Sequence, residues 1–284
     1  MRKLILGFIL IFCLSANAYA IPMYWDLSQI NYSLNSQTGP TDLYIEKDLT
    51  IRNNGTRYPY TQIVTDLGAD GILSDNDTFI EDGILGIVGS DGDGYNFWDT
   101  NKNQRGYIYY EFLDISGYLD NVVFDITTNT FKFDILFDKI GEINLKYTTD
   151  ATFQTFDGVL ATYSILDAGT TKDGFTLNTG VGQGSGTFGF DLLVETIETP
   201  DFWFLGPGYD PAESFLATYG IFGYSTLTAT LIELDTTTLA NDNKWILTVQ
   251  NVGTMEHAVP EPSTMLLLGA GLLGLGAVAR RRKN

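Results

Sequence analysis

Carboxylates crowd one stretch of this chain: Asp66, Asp70, Asp75, Asp77, Glu81, Asp82, Asp91, Asp93 and Asp99, with Asn76 and Asn96 among them. Oxygen donors at that density on Gly-rich loops suit calcium, which takes about six to eight oxygen ligands from carboxylates and carbonyls. Asp91, Asp93 and Asn96 fall in one tight turn and Asp99 follows closely, so these four are the candidate calcium ligands. The spacing is not that of an EF-hand loop, because Asn96 stands where that loop needs Gly and Lys102 where it needs Glu. Two readings stay open: a calcium site, or acidic turn residues held by solvent. No cofactor is required by either.

Other chemistry has less to work with. His257 is the sole histidine, and its place near the C-terminus puts it in a spacer, away from any His-based triad or His-ligated zinc site in the domain. A pair of carboxylates for glycoside hydrolysis stays possible, but nothing singles out two of so many acids. Gly180, Gly182, Gly184, Gly186 and Gly189 lack the strand-then-helix setting and the Lys of a phosphate-binding loop, and read as a turn between strands. Trp98 and Trp203 lie in loop-like, Gly- and Asp-rich settings where a ring could stack on a sugar, with core packing as the other reading.

The elements that must position these residues are strands. Val122, Phe124 and Ile126 alternate with Val123, Asp125 and Thr127; after a turn at Thr128-Asn129, Phe131, Phe133, Ile135 and Phe137 alternate with polar residues. Ile143, Leu145 and Tyr147 would add a third strand and make a meander. Leu227, Ala229 and Leu231 alternate with Thr226, Thr228 and Thr230, and a loop over 240–243 leads to Trp245, Leu247 and Val249. Further strands are expected near 24–32, 43–51, 58–64, 106–113, 160–166 and 187–196. Asp-Gly pairs at Asp70, Asp82, Asp91, Asp93, Asp157 and Asp173, with Asn54-Gly55, suit turns that need positive φ. The expected fold is all-β, an antiparallel β-sandwich or jelly-roll-like domain over 21–252, with a spacer at 253–259.

Both extremities carry signals. Arg2 and Lys3 precede an apolar run from Leu4 to Leu14, and Ala18-Tyr19-Ala20 places small residues for signal-peptidase cleavage after Ala20. The only cysteine, Cys13, leaves with this leader, so the mature domain has no disulfide. At the other end Pro260, Glu261 and Pro262 precede an apolar run over 264–279, 16 residues or about 24 Å as a helix, and then Arg280, Arg281, Arg282 and Lys283. The prolines disfavour helix before the run, and the basic cluster would hold the C-terminus in the cytoplasm.

That three-part tail resembles the sorting signal of PEP-CTERM proteins. The resemblance implies export, transient inner-membrane anchoring by a transmembrane sorting helix, and processing by an exosortase near Pro260-Glu261-Pro262, usually in species that make exopolysaccharide. GQGSGTFGFDLLVETIETPDFWFLGPGYD, from Gly182 to Asp210, resembles a segment of flocculation-associated PEP-CTERM proteins, which implies a part in holding cells in exopolysaccharide-bound flocs and brings no catalytic residues.

Charge narrows the partners. Of 16 Lys and Arg, two lie in the leader and four in the tail; of 35 acidic residues, Glu261 alone lies in either signal. The part between carries about −24, which argues against nucleic acid and leaves cations and neutral sugars compatible. The expected protein is a non-enzymatic component of the cell surface or extracellular matrix, contributing to biofilm or floc structure, with exopolysaccharide as its candidate partner. The alternatives are a calcium-dependent carbohydrate-binding module and a secreted glycan-active enzyme.

Overall fold

A computed structural model describes residues 23–26, 42–45, 48–90, 95–96, 107–138, 141–150, 152–167, 171–199, 202–204 and 222–258. They form fifteen strands: β1 Met23–Asp26, β2 Asp42–Ile45, β3 Asp48–Arg52, β4 Thr61–Asp66, β5 Thr78–Ser90, β6 Tyr95–Asn96, β7 Tyr107–Asp125, β8 Thr130–Phe137, β9 Glu142–Thr148, β10 Gly158–Asp167, β11 Thr171–Asn178, β12 Gln183–Ile197, β13 Trp203–Phe204, β14 Phe222–Asp235 and β15 Lys244–Ala258. A 3-10 turn, Ala240–Asp242, interrupts the β14–β15 connection. Among the described residues no helix is long and apolar enough to cross a membrane.

The fold is the antiparallel all-β domain that the patterning predicts, with the sheet closed on itself. Five long strands, β5, β7, β12, β14 and β15, run along the whole body. At one end the hydrogen-bonded circuit is β7, β5, β3, β15, β14, β12, β10, β9 and back to β7. At the other it is β7, β5, β4, β15, β14, β12, β11, β8 and back to β7. Closure removes the exposed edges that an open sheet would present.

The change of partners occurs at kinks. Asp114 on β7, between the stretches paired with β9 and with β8, has φ of 51°, and the β5–β7 register shifts between Glu81 and Gly83; Asn121, with φ of 54°, sits at a bulge inside the β7–β8 pairing. The Asp82 carboxylate accepts the Asp114 backbone N–H at 2.8 Å and fixes the β5–β7 bulge. On the far side, where β3 gives way to β4, Asn53 Nδ2 and Asn251 Nδ2 both donate to Thr61 Oγ1, at 2.9 and 3.0 Å. Asn251 N–H donates to Asn53 Oδ1 at 2.7 Å, so this buried polar knot ties β15 to the β3–β4 connection.

Inward positions from both circuits make one continuous core, including Ile51, Ile63, Phe79, Leu85, Tyr110, Phe137, Leu145, Tyr163, Phe175, Leu227 and Val249. The threonines of β14 point outward, as expected: Thr228 and Thr230 are exposed while Leu227 and Ala229 are buried. A smaller cluster of Tyr58, Val88 and Tyr109 packs on the outside. Gly86 makes room for it, since a Cβ there would meet the Tyr58 ring at 1.9 Å.

Several expectations are corrected. β9 pairs with the first half of β7 and with β10, rather than extending the β7–β8 hairpin into a meander. The region expected as one strand over 43–51 is two, β2 and β3. Asp82-Gly83 and Asp173-Gly174 lie inside β5 and β11 at register shifts rather than in turns. Of the five glycines read as a turn, Gly184, Gly186 and Gly189 belong to β12. A Cβ on Gly186 would meet the Phe175 side chain at 2.6 Å, so this glycine admits an aromatic ring to the core.

Candidate functional site at the C-terminal end of the barrel

β15 does not stop at residue 252. It runs to Ala258, so residues 253–258 of the expected spacer are strand, paired with β14 from Leu227↔Gly253 to Phe222↔Ala258. The inward period of β15 continues through Val249, Asn251, Met255 and His257, all buried. His257 is therefore a core residue and not a spacer residue.

The ring of His257 sits in an aromatic cage. Its Nε2 lies 2.9 Å from the Tyr163 hydroxyl of β10 and 3.4 Å from the Tyr110 hydroxyl of β7. Tyr110 stacks on it with 21° between the planes, and Trp25 and Trp203 approach edge-on with centroids at 6.4 and 5.5 Å. The two tryptophans come from a separate three-stranded sheet, β13-β1-β2, that lies against this end of the core. Trp25 also contacts Phe202 and Trp203. Strands from near both extremities of the described chain thus meet over one imidazole.

Burial decides the charge of this group. Desolvation lowers the His257 pKa to about 3, so the ring is neutral across the ordinary pH range. Burial likewise pushes both tyrosine hydroxyls far above their usual range. Among the described residues the ring's hydrogen-bond partners are two phenols, and Nδ1 is buried without a partner. This is the chemistry of a neutral polar clasp. General-base catalysis needs an imidazole that reaches substrate and is oriented by an acceptor on its other nitrogen.

Trp203 corrects a sugar-stacking expectation: it is 0 % exposed, so neither face of its ring is open to a sugar. Its loop-like sequence context hid a two-residue strand paired to β1, Trp25↔Trp203. Asn96 pairs with Gly89 through β6, its side chain lying outside the described residues. Asp91, Asp93, Asp99 and Trp98 also lie outside them, as do Ala20, Pro260, Glu261, Pro262 and the basic cluster from Arg280 to Lys283. Among the described residues no group of three or more His, Cys, Asp or Glu side chains could hold a metal ion.

The cage residues that sequence reading missed, Trp25, Tyr110 and Tyr163, sit on strands it did expect. The signal that would have found His257 is the period-two pattern of β15, obscured where Asn251 and Gly253 occupy inward positions.

Residues 258–283 match the family model of the PEP-CTERM protein-sorting motif. The match starts at Ala258, the last residue of β15, one position after the caged histidine. No curated protein and no solved structure matches the chain.

Proposed function

We propose that this chain, which the PEP-CTERM motif marks as an exported protein sorted by exosortase, is a non-enzymatic component of the cell surface or extracellular matrix. In this reading the barrel is what is delivered, and it contributes to exopolysaccharide-associated biofilm or floc structure. The observation that carries the reading is the continuity of the last barrel strand with the sorting signal: β15 ends at Ala258, where the motif begins.

Three features support a structural role. The sole histidine, the side chain best suited to acid–base work near neutrality, is held neutral in the core. The sheet is closed, which gives a secreted domain without disulfides a large continuous core. The span between the two signals carries about −24, suited to a hydrated matrix in which cations screen or bridge anionic polymers.

The test is genetic and chemical together. Deleting the protein should disperse cell aggregates while leaving exopolysaccharide synthesis intact, and mass spectrometry of the exported form should show the C-terminus cut near Pro260-Glu261-Pro262. Intact aggregates after deletion refute the matrix role. A mature chain still ending at Asn284 refutes the sorting route.

A further inference from the structure

The end of the barrel opposite His257 encloses a cavity of about 20 Å³. Its wall is apolar, built from Phe79, Leu119, Phe133, Phe175 and Leu247, and contains a single carboxyl group, Glu81. β5 dictates that placement: Phe79, Glu81 and Leu85 turn inward while Ile80 is left 47 % exposed outside. Glu81 is 4 % exposed and has no hydrogen-bond or ion-pair partner among the described residues. An acid left alone in an apolar wall is costly unless a donor meets it.

Above the cavity the mouth is aromatic. Phe131 on β8 and Trp245 on β15 are not on neighbouring strands, yet their rings meet edge to face at 6.3 Å, across the interior. Trp245 also lines the cavity, so its ring is the roof. Phe124 packs on Phe131 at 4.5 Å and is 45 % exposed, and Ile126 at the hairpin tip is 82 % exposed. Apolar surface thus leads from solvent to the roof over an unpartnered carboxyl.

We propose that this mouth binds a slender primary alkylamine, its ammonium group beside Glu81 and its alkyl chain along Phe124, Ile126 and Phe131, with the Trp245 ring displaced. The cavity is large enough for a water-sized group, which an ammonium is. The cation supplies the donor and the opposite charge that a buried carboxylate needs. Eight-stranded closed sheets are wide enough to hold one small ligand. The ligand rather than a fixed side chain completes the site.

Titration of the full-length chain with n-hexylamine, read by tryptophan fluorescence and by the carboxyl carbon shift of Glu81, should saturate. Hexanoate, with the same tail and the opposite head, should not bind. Glu81→Gln should weaken hexylamine at least about tenfold and n-hexanol less than about threefold. Phe124→Ser with Ile126→Ser removes the apolar approach and should weaken both amine and alcohol, with the melting temperature lowered by only about 2–4 °C through the lost Phe124–Phe131 contact. Hexanoate binding as well as hexylamine, or indifference to Glu81→Gln, would show mere adsorption to apolar surface and overturn the proposal. Failure of every probe to saturate would overturn it too, leaving the cavity to a buried water.

Discussion

The hydroxyl of Tyr163 lies 2.9 Å from Nε2 of His257, although 94 residues separate them. The contact joins β10 to the end of β15, the last strand before the sorting motif, and both groups are buried. Loss of the tyrosine hydroxyl leaves a buried ring nitrogen with the longer Tyr110 contact alone. Tyr163→Phe should therefore destabilise the fold by about 1–3 kcal/mol, or roughly 2–12 °C in a domain of this size. His257→Ala should cost more, since it also empties the space between Trp25, Trp203 and Tyr110. Thermal melts of the two variants check the order.

The same histidine gives stability a pH dependence. Its pKa falls from 6.5 to about 3 on folding, so between those values the unfolded chain binds the extra proton. Its contribution is complete above pH 6.5 and is lost as the pH falls toward 3, on the order of 3–5 kcal/mol in all. His257→Gln should flatten the melting temperature over pH 4–6.5 relative to the parent. A parent-like slope in that variant would contradict the assignment.

Glu81 acts in the opposite sense. Burial, with a smaller push from Asp82, raises its pKa from 4.5 to about 7, so between these values the folded state holds the extra proton. The stability tied to the neutral acid is complete below pH 4.5 and is lost as the pH rises through 7, on the order of 3 kcal/mol. Glu81→Gln should leave stability near pH 5 almost unchanged and raise it at pH 8. Since the two groups oppose each other between pH 4.5 and 6.5, only the single variants separate them; denaturant melts at both pH values provide the measurement.

Two glycines in different surroundings test the packing. A Cβ on Gly253 would stand 1.9 Å from the Thr226 carbonyl oxygen and 2.8 Å from Leu227 Cδ2, between β14 and β3. Gly182, in the turn before β12, has φ of 63° with nothing within 4 Å of the added atom. Gly253→Ala should cost about 1–3 kcal/mol or more through forced displacement. Gly182→Ala should cost about 1 kcal/mol through backbone strain alone. Comparable losses in melting temperature would be inconsistent with the β14–β15 register.

What the sequence made legible follows from how each strand uses its alternation. β8, β14 and the first half of β15 present plain apolar and polar faces, and those strands were readable with their turns. β5 was not, because Glu81 and Gly83 occupy inward positions and Asp82-Gly83 imitates a hairpin turn; the bulge clasp to Asp114 appears only with β7 alongside. In the sequence β15 looks shorter than it is for the same reason, as Asn251 and Gly253 interrupt an inward row that resumes at Met255 and His257. Closure could not be read at all. It depends on β9 and β8 sharing the two halves of β7, which meet at the kink at Asp114. The cage is likewise a product of closure, since Trp25, Tyr110, Tyr163 and His257 come from four strands.

The join between barrel and tail is short. β15 ends at Ala258 and the apolar run begins at Thr264. The covalent reach of the residues between them is about 20 Å at most. On the proposed route, in which the membrane holds the tail, the His257 end of the barrel would lie near the bilayer, with Pro260 two residues beyond a folded strand. With the cut near Pro260-Glu261-Pro262 as proposed, a peptidase that grips several residues on either side would work against the barrel wall. Inserting about ten Gly and Ser residues after Ala258 should raise the rate of tail removal several-fold in a pulse-chase measurement, with the barrel's melting temperature unchanged. Tyr163→Phe, which loosens the same end without lengthening the chain, should raise that rate by less. An insertion that leaves the rate unaltered would mean that the folded domain places no restraint on its own processing.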